Sequence, residues 1–494
     1  DHRDLHSFPT RRSSDLNESL IKKIKPSSIL VAGDVMVDEY VLGEVERISP
    51  ESPVPVLVAR ERLRRLGGAG NVLRNLVSMG ATVALFATIG SDDAGKWFKN
   101  HCYEIGVDTF WLKTDRSRPT TIKTRVVARN QQIVRIDEEN TGIISAEMEQ
   151  KVIDELKSVL PQVKAVVLSD YGKGFLTPNI LQSLLAQAKE ENIPVLVDPK
   201  GMDFTRYNGA TYITPNIREA SLASGIAISD KVSMELAGQT LLSQTNAEGI
   251  VLTRGRDGSS LITRNNIEHF TVKPVEIVDV TGAGDTVIST LALAVASGLS
   301  IQEAIQLANL AASLVVARFG AATVSLDEMI DSLKLERESR KIINMSDAER
   351  ALRHHRIQGH TIVFTNGCYD LFHAGHLELL RKASSFGDVL VVGVNSDKSV
   401  KRIKGPQRPI VPEGERLAIL SALNFVDYVI AFDQDTPLEL IKEIRPDVLV
   451  KGEDWKGKTV VGEKIVLERG GRVELVKLLP GVSTTELISR IKKS

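Results

Sequence analysis

The chain has 494 residues and a net charge of −1, with charges of both signs interspersed. That length suits roughly two to four domains with cores of their own, and the charge balance argues against a nucleic-acid arm or a membrane-binding patch. The longest uncharged apolar run, Val287 to Leu299, is too short to cross a bilayer, and the two distant cysteines, Cys102 and Cys368, make no disulfide framework. A soluble protein of the reducing cytoplasm is expected.

Residues 1–16 are polar, rich in Arg and Ser, and aperiodic. They lack the apolar core of a signal peptide and are set aside as an artefact of sequence assembly. A first domain is expected over residues 17–330. Ser27 to Met36 reads as a buried strand that runs out into Gly33 and Asp34, with Asp38 just beyond. Open α/β sheets bind ligands at the carboxyl ends of their strands. Asp34 and Asp38 are therefore candidates to bind hydroxyl groups, although a turn aspartate suits Asp34 equally. Val54 to Ala59 and Thr121 to Ile136 carry alternating β-rich segments that would pair as a small separate sheet. Between them, Gly67, Gly68 and Gly70 precede a helical pattern that runs through Met79. Glycines there let a ligand approach the backbone, and Asn71 brings both a donor and an acceptor.

After Gly80 a strand–turn–helix rhythm repeats over Thr82–Ile89, Val163–Ser169, Val195–Val197, Tyr212–Thr214 and Ile250–Thr253. Such alternation predicts a mainly parallel sheet with helices on both faces. Polar residues collect at the strand ends. Asp170-Tyr171-Gly172-Lys173-Gly174 follows one strand and Asp198-Pro199-Lys200 another. Asn216 and Glu219, three apart at a helix start, share a face suited to a hydrated Mg²⁺ held with nucleotide phosphates. A capping box explains the same pair. The loop Thr253 to Gly258, with Gly255 inside it, fits a phosphate or a plain hairpin.

A β-branched run, Val275 to Val278, then enters Thr281-Gly282-Ala283-Gly284-Asp285, and Val287 to Leu299 leaves it as a buried helix. Glycines at a helix N-terminus make an anion site. A carboxylate beside that site can accept a proton from an attacking hydroxyl. A tight turn with Asp285 as its cap is the plainer alternative.

Gly67 to Asn71, the Asn216-x-x-Glu219 pair, and Asp279-x-Thr281-Gly282-Ala283-Gly284-Asp285-Thr286, in this order, resemble the ribokinase-type (PfkB) sugar kinases. The resemblance covers roughly residues 28 to 330. It implies a ribokinase-like α/β sandwich with a small β lid, and ATP-dependent phosphorylation of a sugar hydroxyl. Asp285 would be the base and Gly282, Ala283 and Gly284 the anion hole. Asn216, Ile217, Arg218 and Glu219 would belong to the ATP site, with Thr253, Gly255 and Gly258. Mg²⁺ would be held near Glu219 through the ATP phosphates, without a protein ligand set of its own. Asn309 would lie near the adenine, and Asp34, Asp38, Gly67, Gly68 and Asn71 would face the sugar. Lids of this kind often pair between subunits, which implies a homodimer.

From Asp331 to residue 358 the composition turns to charged residues. The stretch reads as an exposed helix, a linker at Asn344-Met345-Ser346 and a lead-in helix, with His354 and His355 solvated. A second domain is expected over residues 359–494. Thr361 to Thr365 is a strand, Asn366-Gly367 opens a turn, and His373-Ala374-Gly375-His376 starts a helix. Two imidazoles three apart lie on one face, and Gly375 lets a phosphate approach the backbone. A zinc pair is the rival reading. Lys404 and Arg408 belong to a basic loop, Lys451 ends a later strand, and Ser483, Thr484 and Thr485 cap a last helix, either for a phosphate or as a plain cap.

His-x-Gly-His after the first strand, with Ser-Thr-Thr before the last helix, resembles the cytidylyltransferase-like nucleotidyltransferases. That implies a Rossmann-like domain in which a sugar-1-phosphate oxygen attacks the α-phosphate of a nucleoside triphosphate. His373 and His376 would donate to the transition state, with Lys404, Arg408 and Lys451 as charge partners. Asn366 and Gly367 would border the nucleotide, and Ser483 to Thr485 would hold its phosphates.

The two halves together, with Ile48 to Pro55, Arg129-Asn130-Gln131-Gln132 and Thr365-Asn366-Gly367, resemble the bifunctional heptose-activating enzymes of Gram-negative bacteria. This implies that heptose phosphates and ATP are the small-molecule partners and that ADP-heptose for lipopolysaccharide is the product. It also implies a separate phosphatase between the two steps. Asp433-Gln434-Asp435 is a candidate phosphatase motif within the chain, but Thr436-Pro437 after it reads as a helix start.

Overall fold

Short runs of Val, Ile and Leu, each followed by a helix, build a mainly parallel sheet in the first part of the chain. The computed structural model describes residues 17–128 and 131–477, which fold as two units that divide between Asp331 and Ser332. The first sixteen residues, Arg129, Asn130 and the Ser483–Thr485 cap lie outside the described residues.

The strands of the first unit are β1 (Ser28–Gly33), β2 (Val35–Ile48), β3 (Pro55–Gly68), β4 (Thr82–Ile89), β5 (Leu112–Thr114), β6 (Thr121–Ala128) and β7 (Gln131–Glu138). They continue with β8 (Ala165–Ser169), β9 (Val195–Asp198), β10 (Tyr212–Ile213), β11 (Gly249–Thr253), β12 (Ser259–Ile262) and β13 (Ile267–Phe270). The large sheet runs β13-β12-β11-β10-β9-β8-β1-β4-β5. Every pair from β5 to β11 is parallel, and β12 and β13 are antiparallel additions. The small sheet runs β3-β2-β6-β7.

Ser27 to Met36 is two strands, not one. The chain breaks at Asp34, so β1 stays in the large sheet and β2 passes into the small one. The small sheet exists as expected, but β2 separates the segments at 54–59 and 121–136. The β-branched run Val275–Val278 joins no strand. Val278 and Asp279 both donate their N–H to the Val316 carbonyl, and Val275, Ile277 and Val280 line a cavity. Their apolar side chains face that cavity and join no sheet.

The helix Ala283–Ala296 is buried without interruption from Asp285 to Ala294. A helix apolar all round belongs inside a core, and each fully buried Leu or Ile there contributes about 1.5–3 kcal/mol. This one packs beside the helix Ala69–Ser78. Thr286 Oγ1 donates to Asn75 Oδ1 at 3.0 Å, and Ser289 Oγ to the Val72 carbonyl at 3.2 Å.

In the second unit, β14 (Ile342–Ile343), β15 (Ile362–Gly367), β16 (Val389–Asn395), β17 (Tyr428–Phe432), β18 (Val448–Gly452) and β19 (Arg472–Val476) form one sheet. Its order is β14-β17-β16-β15-β18-β19, parallel throughout. The stretch 331–358 is therefore more than a linker. Ile342–Ile343 is an edge strand, and Ala348 and Leu352 of the helix Ala348–Ile357 are buried in the core. Its charged composition hid the few apolar side chains that do this. His355 is bonded as well, with ring nitrogens 3.1 Å from His360 Nδ1 and 3.2 Å from the Tyr428 hydroxyl.

Candidate active sites

Asp285 opens its helix behind Gly282, which holds φ at 81°. Glycine adopts that conformation without steric cost, and a Cβ there would lie 2.7 Å from Nδ2 of Asn71. Asn71 Nδ2 donates to Asp285 Oδ2 at 2.7 Å, and the Tyr171 hydroxyl donates to Oδ1 at 2.9 Å. The carboxyl is 6% exposed. Burial pushes its pKa up to about 6, with Asp38 adding to the rise and the bonds from Asn71 and Tyr171 opposing it. Such a carboxylate is a stronger base than an exposed one and is still ionised near neutral pH.

Two cavities meet at this group. The smaller, about 360 Å³, has Asp38, Gly68, Asn71, Lys123, Arg125 and Lys173 in its wall. The larger, about 1000 Å³, has Asn216, Glu219, Thr253, Gly255, Gly258 and Asn309, with Ala283 and Gly284 at its helix terminus. Tyr171, Lys200, Gly282 and Asp285 line both. Asp285 therefore stands where the contents of one cavity can reach those of the other.

Not every expected residue faces these spaces. Asp34 is 4% exposed and accepts from the backbone N–H groups of Tyr171 at 3.1 Å, Lys173 at 2.8 Å and Phe175 at 3.0 Å. Its role is to hold the loop after β8. Burial still raises its pKa despite those bonds. Gly67 is packed on Asp38, and a Cβ there would lie 2.2 Å from Oδ2. Ile217 and Arg218 are exposed and line neither cavity, because they lie on the outer side of the first turn of their helix.

The Asn216–Glu219 pair is a capping box, with Glu219 N–H to Asn216 Oδ1 at 2.9 Å and Asn216 N–H to Glu219 Oε2 at 3.1 Å. The same pair faces the larger cavity, so cap and ligand readings coexist. Glu219 Oε1 also accepts from Lys200 at 3.3 Å. Asn309 accepts from Ser259 at 2.7 Å and thus ties its helix to β12.

Sequence reasoning noticed Tyr171, Lys173 and Lys200 only as strand-end polar residues and passed over Lys123 and Arg125. The signal for the last two was their period-2 spacing on one face of β6. Asp38 and Arg125 form an ion pair in the cavity wall.

In the second unit His373 is the N-cap of the helix Ala374–Ser384, its Nδ1 accepting from the His376 N–H at 3.4 Å. The two rings stack with centroids 3.8 Å apart. Burial, then His373 and Lys404, push the His376 pKa down to about 4, so the imidazole is neutral. Lys404 is thus close enough for its charge to be felt. Lys451 donates to Asn366 Oδ1 and lies 5.2 Å over the Trp455 ring, and burial lowers its pKa to about 8. Gly367 packs on Tyr369. Arg408 is turned inward, paired with the buried Asp370, which also accepts from the Ile410 and Val411 N–H groups. It braces the loop 405–412; Lys404, expected in a basic loop, is instead the last residue of the helix Asp397–Lys404. Cys368 makes a long bond to Asn395 at 3.8 Å, and among the described residues no group of three His, Cys, Asp or Glu is placed to hold a metal ion.

Residues 27–329 match the pfkB family of carbohydrate kinases, and residues 364–490 match the cytidylyltransferase-like family. The chain is 47% identical to the bifunctional protein HldE of Geobacter metallireducens, over 97% of this chain and 98% of that protein. The chain belongs to the HldE family. A second family member, from Campylobacter curvus, is 44% identical over 95% of this chain and 99% of its own.

Among solved structures, the Arabidopsis thaliana ribokinase complexed with ribose and ATP covers 63% of this chain at a TM-score of 0.52 and 20% identity, and 99% of its own length is matched. Phosphofructokinase-2 from Escherichia coli with substrates and products also covers 63%, at 0.53 and 17%, again with 99% of its own length matched. At such identities these structures show the ribokinase-like fold alone. As an HldE family member the chain is an enzyme, with a sugar kinase domain followed by a nucleotidyltransferase domain. No described helix is long and apolar enough to cross a membrane.

Proposed function

We propose that the first unit transfers the γ-phosphoryl group of ATP to the C1 hydroxyl of D-glycero-β-D-manno-heptose 7-phosphate, giving the 1,7-bisphosphate and ADP. The second unit then joins ATP to heptose 1-phosphate, giving ADP-heptose and pyrophosphate for the lipopolysaccharide inner core. The observation that carries the kinase reading is the shared wall at Asp285, between a small cationic cavity and a larger one bearing the capping box and glycine loop.

In the first reaction Asp285 takes the C1 hydroxyl proton as that oxygen attacks the γ-phosphorus and the bond to the ADP oxygen breaks. The N–H groups at Gly282 and Gly284 receive developing negative charge, that of Ala283 being donated to the Val280 carbonyl at 3.2 Å, and Lys200 adds a positive charge on the shared wall. Mg²⁺, when bound with ATP, neutralises charge on the phosphates. Two carboxylates suit a hydrated divalent ion: Asp198 and Glu219 line the larger cavity, and burial, then Asp285 and Glu219, push the Asp198 carboxyl well up, with Lys200 opposing the rise. These two carboxylates would hold the hydrated ion.

In the second reaction the heptose 1-phosphate oxygen attacks the α-phosphorus and pyrophosphate leaves. No strong base is needed, only donors and charge around phosphorus. His373 and His376 donate, and Lys404 and Lys451 supply charge. Ser483 to Thr485 would hold the β and γ phosphates. The 7-phosphate has to be removed between the steps, so a separate phosphatase is part of the scheme. The cytoplasm, where ATP is made available, is the proposed location. The exposed Ile133, Val134 and Ile136 of β7, 42%, 48% and 51% exposed, support a homodimer that pairs small sheets.

Asp285→Asn keeps the shape and removes the base. Sugar phosphorylation should fall by roughly 10²–10⁴-fold while adenylyl transfer from ATP to heptose 1-phosphate stays at the wild-type rate. Kinase turnover near wild type would reduce Asp285 to a helix cap.

A further inference from the structure

The smaller cavity gathers Lys123, Arg125, Arg135, Lys173 and Lys200, yet each already has a carboxylate. Arg125 pairs with Asp38, Arg135 with Asp137 at 2.9 Å and Lys200 with Glu219 at 3.3 Å. Lys123 reaches Asp137 at 3.1 Å and Glu139 at 3.4 Å, and Lys173 reaches Glu139 at 2.7 Å. Among these partners Glu139 alone joins the two sheets. It follows β7 and faces Lys123 of β6, both in the small sheet, whereas Lys173 stands on the loop after β8 of the large sheet. Both lysines meet the same oxygen, Oε2.

We propose that Glu139 is a placeholder for the phosphate group of the sugar substrate, which displaces it from Lys123 and Lys173 and takes over the bridge between the sheets. The inference deepens the kinase reading of this site and rests on it. A phosphate monoester carries about −1.5 to −2 charge and three acceptor oxygens, against one charge and one engaged oxygen on Glu139. The Glu139 side chain is 26% exposed, against 15% and 14% for its two lysines. Releasing a partly exposed carboxylate to water costs little. Lys173 cannot follow it out, because Asp34 pins its backbone N–H and Arg118 bonds its carbonyl. A neutral sugar has no charge with which to make the exchange. The remote phosphate thus closes the small sheet over the reacting hydroxyl, and binding energy far from the chemistry orders the site.

The test uses the full chain with Glu139→Gln and Lys173→Met, measuring phosphorylation of heptose 7-phosphate and its inhibition by inorganic phosphate. Glu139→Gln should lower KM for the sugar phosphate and strengthen phosphate inhibition, each roughly three- to tenfold, with kcat and KM for ATP unchanged. Lys173→Met should raise the sugar KM by roughly tenfold or more and remove the inhibition. A Glu139→Gln enzyme with wild-type melting temperature and unchanged or raised sugar KM overturns the placeholder. If wild-type chain does not phosphorylate heptose 7-phosphate, the functional reading fails by itself. Calorimetric titration with inorganic phosphate then decides the placeholder alone: tighter binding to Glu139→Gln that is lost on adding Lys173→Met upholds it, and equal binding overturns it.

Discussion

The Tyr171 hydroxyl donates a 2.9 Å hydrogen bond to Oδ1 of Asp285, while Asn71 occupies Oδ2. Burial first, and the charge of Asp285 next, keep the phenol protonated and therefore a donor. The bond favours the ionised carboxylate, opposing the burial that lifts the Asp285 pKa to about 6.

As the proposed base Asp285 works ionised, so kinase kcat/KM should rise with pH through about 6 and level off above it. Tyr171→Phe removes a bond that lowers the pKa, so the acid limb should move to higher pH while the plateau is largely kept. A kcat/KM profile over about pH 5 to 8 measures this. An acid limb that stays in place would show that the bond does not set the proton affinity of the base.

His376 behaves oppositely. Its pKa is lowered to about 4, so it is already neutral above that value, and adenylyl transfer should not follow its titration between about pH 5 and 8. His373→Ala or His376→Ala should slow pyrophosphate release by roughly 10²–10³-fold and leave sugar phosphorylation intact. Inhibition by zinc chelators to the same extent would restore a metal role for the pair.

Separate fragments should depend on where the chain is cut. Ile342–Ile343 is the β14 edge of the second sheet. A fragment that starts at Ser332 should therefore melt above one that starts at Asn344, by roughly 2–4 °C for each kcal/mol recovered in a domain of this size. Thermal melts of the two pieces decide it. Equal melting temperatures would mean that β14 adds nothing to this unit.

Purified chain given ATP, Mg²⁺ and heptose 7-phosphate should stop at the bisphosphate. Asp435 is bonded to Arg402 at 2.7 Å and Asp433 to Ser396 and Arg402, and the helix Leu438–Ile444 begins behind Pro437. This Asp-x-Asp pair is therefore tied to the helix Asp397–Lys404 and its N-cap, Ser396. ADP-heptose should appear only when a phosphatase is added. Its formation by chain free of contaminating phosphatase would overturn that reading.

Much was legible before folding, because several signals are local. The run Gly282 to Asp285, His373-x-Gly-His376 and the parallel-sheet strands expected at Thr82–Ile89 and Thr361–Thr365 depend on residues a few positions apart. Hydrophobic period and turn chemistry encode them. Asp34 shows the limit. A carboxylate at a strand end looks the same whether it binds a ligand or three backbone N–H groups, and only the path of the loop at 171–175 distinguishes the two. Arg408 is similar: a loop arginine reads as free charge until Asp370 is found beside it.

The sequence by itself determined the order of the two domains, the parallel sheets, and the candidates for the base, Asp285, and for the histidine pair, His373 and His376. Helix starts, glycine turns and apolar periods are short-range properties. Tertiary structure alone decided that Asn71 and Tyr171, 214 and 114 residues from Asp285 along the chain, hold its two oxygens. It also placed lysines from both sheets around Glu139. Such contacts form where separate elements are packed together by a buried core, and proton affinity and charge pairing follow from that burial and proximity.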